Sequence, residues 1–519
     1  MSGPRRSGIG RINRRAVGWF IVATWLVVVA AHVRREYFKP PAVRLAEGAL
    51  ALAPGTHFYR IQMDGATIGL ASSSMDTVPT GFTLIDQMAL DVPALGSSQR
   101  ASARTRVDLG RSLEVSRFEF DLESTIGRFV VTGEVRSDSV MAIEIDAGGG
   151  VERMEVPWNR DVALAAALPL RLAASGRLRV GTEVTATIFD PSVLEPRDVV
   201  VRVSGQDTII VADSVSYDPA TGVWTVTVYD TVPAWRIEES YGGVRVSSWV
   251  DGDGRLVRAE SPLGFRIERD AFEITRAAWR ESQADTTAGS GYGSLIEATA
   301  IAAGVTLPGG AGPDRLAVRL LNVDLVGFDL DGGRQTLRGD TLVVAREAVD
   351  PTASYRLPYT GGGEAAGELA ATPLIQASDP RIVEAAREAA GGSDAPVEVA
   401  RRLNEWVYRS LRKELTASVP SAIQVLEARA GDCNEHTVLF VAMARALGLP
   451  ARTAVGLTYQ GGRFYYHAWP EVWLDRWVAV DPTFGQFPAD AAHLRFLVGG
   501  LARQVELVRL IGRLELEVL

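Results

Sequence analysis

The stretch Gly431 to Phe484 reads GDCNEHTVLFVAMARALGLPARTAVGLTYQGGRFYYHAWPEVWLDRWVAVDPTF. It brings a thiol, an imidazole and a carboxylate together in an order that suits covalent catalysis. Cys433 is the only cysteine of 519 residues, so it forms no intrachain disulfide and is a candidate nucleophile. Behind it Leu439, Ala442, Met443, Ala446 and Leu447 recur at helical spacing, and Gly448 and Pro450 end the run. Asp432 and Glu435 fit the N-cap and N3 positions of a capping box, which makes Cys433 the first helical residue. Unpaired N–H groups at a helix start favour a thiolate, whereas a nearby Asp432 charge opposes it.

From His467 the chain alternates His467, Trp469, Glu471, Trp473, turns near Asp475, and returns through Trp477 to Asp481 before Pro482. This predicts a hairpin. Folding it about Leu474 and Asp475 places Asp481 within about one residue of register of His467, near enough to orient the ring.

The GDC followed by an acidic-His pair, the ALGLPAR segment, the HAW–EVW strand and the WVAVDPTF strand together resemble the bacterial transglutaminase-like core. That papain-like superfamily includes transglutaminases, peptide N-glycanases and microbial cysteine peptidases. The resemblance spans about residues 395 to 485, less than a fifth of the chain. It implies Cys433 as nucleophile, His467 as general base and acid, and Asp481 as the residue orienting His467.

Each residue also has a plainer reading. A free cysteine is commonly a small buried hydrophobe. His436, one turn after Cys433, points alongside the thiol and reads as a structural hydrogen bonder. Trp469, Trp473 and Trp477 read as core or groove wall. Papain-like enzymes place a glutamine before the cysteine, which draws attention to Gln424 as an oxyanion donor. However, Ser421 and Gln424 form an S-x-x-Q capping box for a helix at 420–429, and the structural reading is preferred. The second oxyanion donor, beside the Cys433 N–H, is unassigned.

Composition fits a globular protein of several domains, 47% hydrophobic and 23% charged, and the net charge of −9 argues against nucleic acid as a partner. Residues 1–15 carry five arginines and no acid, and precede the uncharged run 16–33. This predicts a single-pass membrane anchor with the N-terminus inside and the bulk exported, periplasmic if the cell has two membranes. A cleaved signal peptide ending near Val29-Ala30-Ala31 is the rival reading.

Residues 34–54 hold three prolines and read as a tether. From 55 to 280 alternating segments such as HFYRIQM, RFVVTGEV and VWTVTVYD predict a large antiparallel β domain, with one helical interruption at 162–174. Asp251 to Gly254, DGDG, reads as a hairpin turn, since the further acidic ligands of an EF-hand are absent. The five histidines form no spaced pair, so no metal site or cofactor is readable, and the β domain resembles no family that names its ligand. After a polar linker, 281–292, strands at 293–372 predict a small β domain or an extension of the catalytic unit, and 373–519 the transglutaminase-like domain.

The expected whole is α+β: an N-terminal transmembrane helix, a large antiparallel β domain, a small β domain and a C-terminal papain-like core. The expected chemistry is acyl transfer from a protein or peptide amide through a Cys433 thioester, to water or to an amine. Two alternatives are a catalytically inactive binding or assembly module of the envelope, and a hydrolase of peptidoglycan peptides.

Overall fold

A computed structural model of the chain describes residues 41–519, apart from 64, 95–96, 242–243, 262–263, 285–299, 308–311, 351–353 and 417. The anchor expected at 16–33 and the basic tail before it lie outside the described residues. Among the described ones no helix is long and apolar enough to cross a membrane. The chain is mostly β with a few helices.

The described part of the expected tether is not a free linker. Helix α1 (Pro41–Ala49) starts on a proline, and Leu45, Ala49 and Leu52 form one stripe packed into the β core. Strands β1 (Gly55–Met63) through β8 (Val151–Pro157) then run as an antiparallel meander, and β9 (Glu183–Asp190) through β14 (Phe265–Asp270) as a second. Pairing of β1 with β14 joins them into one fourteen-stranded sheet whose edges are β8 and β9.

The interruption at 162–174 is the plug of this sheet. A turn of 3-10 helix leads into α2 (Leu168–Ala174), which buries Leu168, Leu170 and Leu172. Leu170 packs with Phe82, Val107 and Phe118 of the first meander, and Leu168 and Leu172 with Ile188, Val201 and Ile237 of the second. The sheet therefore wraps around α2. DGDG is a turn between β12 (Val244–Val250) and β13 (Leu256–Glu260), closed by Asp251 Oδ1 on the Asp253 and Arg255 N–H groups. The end of the expected β region departs from its reading, because 272–284 forms helix α3 (Phe272–Ala284).

Nine of the remaining strands make two sheets with one shared core, and β19 (Arg412–Lys413) and β20 (Ala430–Gly431) pair in parallel as a third. The central sheet runs β15 (Ile301–Ala302), β22 (Arg463–Trp473), β21 (Ala451–Gln460), β24 (His493–Val498), with β23 (Trp477–Ala479) on β22. The second runs β17 (Gln335–Arg338), β18 (Thr341–Ala345), β16 (Arg315–Leu321), β25 (Glu515–Val518). Val318, Leu342 and Leu516 of the second sheet pack with Leu457, Phe464 and Leu494 of the first, so the strands read as a small β domain share the core of the C-terminal unit. The terminal strand β25 pairs with β16.

Helices cover the central sheet's opposite side. After the short α4 (Glu364–Gly367) come α5 (Pro380–Ala390), α6 (Pro396–Ser410), α7 (Ala422–Ala428) and α8 (Cys433–Ala446). Asp379 caps α5 ahead of Pro380, as its sequence implies. Leu439 and Met443 of α8, Val399 and Leu403 of α6 and Ile423 of α7 share a core with Val472 and Val478 of the hairpin. The helix bearing the thiol is thereby held against the strand bearing the imidazole.

Candidate active site

Cys433 opens α8 because its neighbours complete the cap. Asp432 Oδ1 accepts from Asn434 N at 2.8 Å, and Glu435 Oε2 accepts from Asp432 N at 2.9 Å. Glu435 is buried, yet its other oxygen accepts from the Thr416 and Ser418 hydroxyls at 2.6 and 2.7 Å, so the carboxylate is fully partnered. Gly431 is required next to it: a Cβ there would lie 2.3 Å from Glu435 Cβ.

The thiol itself is half-buried. Burial, then the Asp432 charge, push it well above its usual range, while the Ala468 N–H beside it pulls the other way. Burial and the adjacent carboxyl thus oppose the thiolate that the N–H groups of a helix start favour. Asp432 is in turn pushed up by burial and by the Glu435 carboxylate.

His467 lies in the middle of β22, buried, with its ring stacked on Phe484 at 4.9 Å and on Trp469 at 6.1 Å. Nε2 meets Asp481 Oδ2 at 2.8 Å, which leaves Nδ1 for proton exchange with a reacting group. The hairpin register differs from the expected one. Trp473 pairs with Trp477, Glu471 with Ala479, and Val480 N donates to the Pro470 carbonyl at 3.0 Å, so Asp475 is the pivot and the same register, carried one residue on, sets Asp481 level with Trp469. That single-residue difference puts Asp481 on the same face as His467, where opposition to Ala468 would have turned it away. Asp475 sits at φ +60°, and its carboxylate is held by Ser354 N at 2.7 Å.

Asp481 is fully buried. Oδ1 accepts from Thr483 N and Phe484 N at 2.7 and 3.1 Å. Oδ2 takes a second imidazole, His493 Nε2, at 2.9 Å. Burial opposes its charge, but the pull of His467 and bonds from both rings outweigh that and hold the carboxyl far below its usual range.

His493, on β24, was not singled out by sequence. Its Nδ1 faces Asp490 Oδ1 at 3.0 Å, so each ring nitrogen faces a carboxylate, which favours the doubly protonated ring. Burial disfavours that cation, and the bonds to Asp481 and Asp490 more than restore it, so the ring's pKa is raised. The only local signal was the Asp490-x-x-His493 spacing, since Asp481 reaches it through the fold.

His436 Nδ1 bonds the Asp432 carbonyl at 2.7 Å, the structural role read for it. Ser421 caps α7, but the Gln424 amide completes no capping box; it donates to the Arg128 carbonyl of the β domain. The EVW glutamate, Glu471, is buried between Arg452 and Arg495 at 2.8 and 3.1 Å and ties β22 to β21 and β24. Among the described residues His467, Asp481 and His493 are the one group whose ligand atoms lie close enough, within 4.8 Å, to share a cation. Their separations of 2.8 and 2.9 Å are those of N–H···O bonds, and His493 needs both protons for its carboxylates.

Residues 383–482 match the transglutaminase-like superfamily and form a transglutaminase-like domain. No curated protein matches the chain in sequence. Among solved structures, a candidate cysteine protease from Cytophaga hutchinsonii is 14% identical over 39% of this chain and 81% of its own, with a TM-score of 0.27. The periplasmic domain of TgpA from Pseudomonas aeruginosa, bound to ethylmercury, is 17% identical over 36% of this chain and 77% of its own, with a TM-score of 0.24. A β-barrel-like protein of a domain family of unknown function from Brucella abortus is 12% identical over 42% and 94%, with a TM-score of 0.31.

Proposed function

We propose that the chain is a cysteine acyltransferase or amidase that cleaves a peptide or side-chain amide through a thioester on Cys433. The observation that carries this reading is the buried His467–Asp481 pair, its ring clamped between Phe484 and Trp469, on the strand packed against the helix that Cys433 opens. With the thiol pushed up, His467 acts as a general base at the moment of attack rather than as half of a standing ion pair. The Cys433 sulfur bonds to the carbonyl carbon as His467 takes its proton. The C–N bond then breaks while His467 returns that proton to the departing amine. Asp481 holds the ring in the tautomer that exposes Nδ1 and stabilises the transient imidazolium. Water or an amine then discharges the acyl group. The apolar run 16–33 and the arginines before it support an anchored, exported enzyme.

Intact-mass spectrometry after incubation with an activated peptide ester tests this. One acyl adduct on Cys433 is expected, discharged by water or faster by an added primary amine, and lost in Cys433→Ser and His467→Ala. A folded wild-type chain without adduct, or unchanged acylation of His467→Ala, overturns the reading. The raised thiol favours a second one, a non-catalytic binding module, and the folded chain without adduct would support it.

A further inference from the structure

The fourteen-stranded sheet, on the face that carries α2, lines an open-sided cavity of about 350 Å³. Small-molecule sites span roughly 300–1,000 Å³. None of its walls comes from the transglutaminase-like domain. The lining is largely apolar, with Met75, Leu84, Phe120, Leu170, Val250 and Ile267 contributing.

A polar row crosses this apolar wall. Strand register sets His57 opposite Ser73, Ser73 opposite Asp86, and Asp86 opposite Thr105, so the four share one face. Buried polar side chains are costly without partners. The row ends at Arg255, whose Nη1 donates to His57 Nε2 at 3.0 Å. Arg255 Nε and Nη2 are buried without a partner, and among the described residues no carboxylate pairs with this guanidinium. The neighbouring Arg269, by contrast, is satisfied by Asp251 at 2.9 Å and by the Leu256 carbonyl.

Burial, then Arg269 and Arg255, push His57 down to about 4, so the ring is neutral and its Nε2 accepts. Burial also disfavours the charged form of Asp86 and Glu239, both lining the cavity, and pushes their carboxyls above their usual range. A guanidinium has no such escape. Among the described lining residues Arg255 is the one that carries a guanidinium or ammonium group.

We propose that this cavity binds a single-chain amphiphile with an oxyanion head, its carboxylate or phosphate on Arg255 Nε and Nη2 and its alkyl body along Met75, Leu84, Phe120 and Leu170. The ligand fits the site twice over, filling an apolar cavity and satisfying two orphaned donors. Charge-assisted bonds of this kind carry a large share of a small ligand's affinity.

The test is photolabelling of the purified full-length chain with a diazirine-bearing twelve-carbon fatty acid, followed by peptide mapping. Labelling is expected on β3 (Gly81–Ala94), β4 (Ser97–Gly110) and α2, with competition by laurate or dodecyl phosphate. The stronger competitor identifies the head group. Arg255→Met should cut labelling about tenfold or more. Ala103→Phe, which fills the cavity and leaves the guanidinium in place, should cut it as far at an unchanged melting temperature. Cys433→Ser should leave labelling intact, which separates this site from the acyl-transfer reading. Equal competition by methyl laurate or dodecylamine, labels scattered over the surface, or full labelling of both cavity variants overturns the proposal.

Discussion

His493 shows how much of the site rests on a residue that need not touch substrate. Its ring lies between Asp481 and Asp490, and removing it leaves two buried carboxylates short of a partner. Breaking a buried pair in this way costs about 3–5 kcal/mol. His493→Phe should therefore lower the melting temperature and, by loosening Asp481, reduce kcat more than KM. The pH dependence has a definite sign. His493 has a raised folded-state pKa, so its contribution is complete below the ordinary value of 6.5 and is lost as pH rises through the raised value. Asp481 and Asp490 are depressed, so their contribution is present above the usual carboxylate pKa and lost as pH falls through their folded values. Thermal denaturation of wild type should thus show a decline on the alkaline side of pH 6.5 that His493→Phe lacks; parallel profiles would show that His493 is not charged. At Cys433 the raised thiol predicts iodoacetamide labelling that climbs only above the free-thiol value of about 8.5. A low-pH limb that vanishes in His467→Ala would instead reveal a standing ion pair. Cys433, His467 and Asp481 stand out in sequence because residue type and local spacing mark them. His493 does not, because Asp481 lies on a different strand and only the three-residue step from Asp490 is local.

At the level of elements, the hairpin pivot decides whether carboxylate and imidazole share a face. Asp475 at φ +60° and its bond to Ser354 fix the turn, and with it the pairing of Trp473 with Trp477. Inserting one glycine after Asp475 should slip β23 by a residue and turn Asp481 away from His467. Acylation is expected to fall by a factor of about 10³ or more, as for removal of a catalytic group. Retained acylation in a folded insertion variant would show that the register is set elsewhere. Sequence carried the hairpin but missed its register by one position, because a turn residue in the left-handed region is not visible in an alternation pattern. Helix α1 was hidden by prolines that open a helix as readily as they stiffen a tether. The place of the last strand beside β16 depends on pairing across nearly two hundred residues, which no local pattern encodes.

The whole molecule is held together where turns of the β domain meet the helices behind the thiol. The Gln424 amide donates to the Arg128 carbonyl, and Ser421 Oγ and Gln376 Nε2 donate to the Ala147 carbonyl at 2.6 and 3.4 Å. Glycines make this approach possible: a Cβ on Gly149 would lie 2.6 Å from Ile423 Cδ1, and one on Gly127 2.7 Å from the Gln424 amide carbon. Ile423 belongs to the core that seats α8, so the docking surface and the Cys433 helix are two faces of one packed layer. Gln424, weighed as an oxyanion donor and read as structural, proves structural through a contact some three hundred residues away in the chain. Sequence could register its polarity but not its partner. If the two parts unfold as one unit because of this contact, Gly149→Leu should uncouple them. Overpacking costs about 1–3 kcal/mol, and the loss of neighbouring hydrogen bonds adds to it. Scanning calorimetry should then show the wild-type transition split into two, the lower one accompanied by exposure of Cys433 to thiol reagent. A single transition merely shifted by a few degrees would mean that the layers cohere through other contacts, and that the β domain's cavity and the thiol site answer to separate folding units.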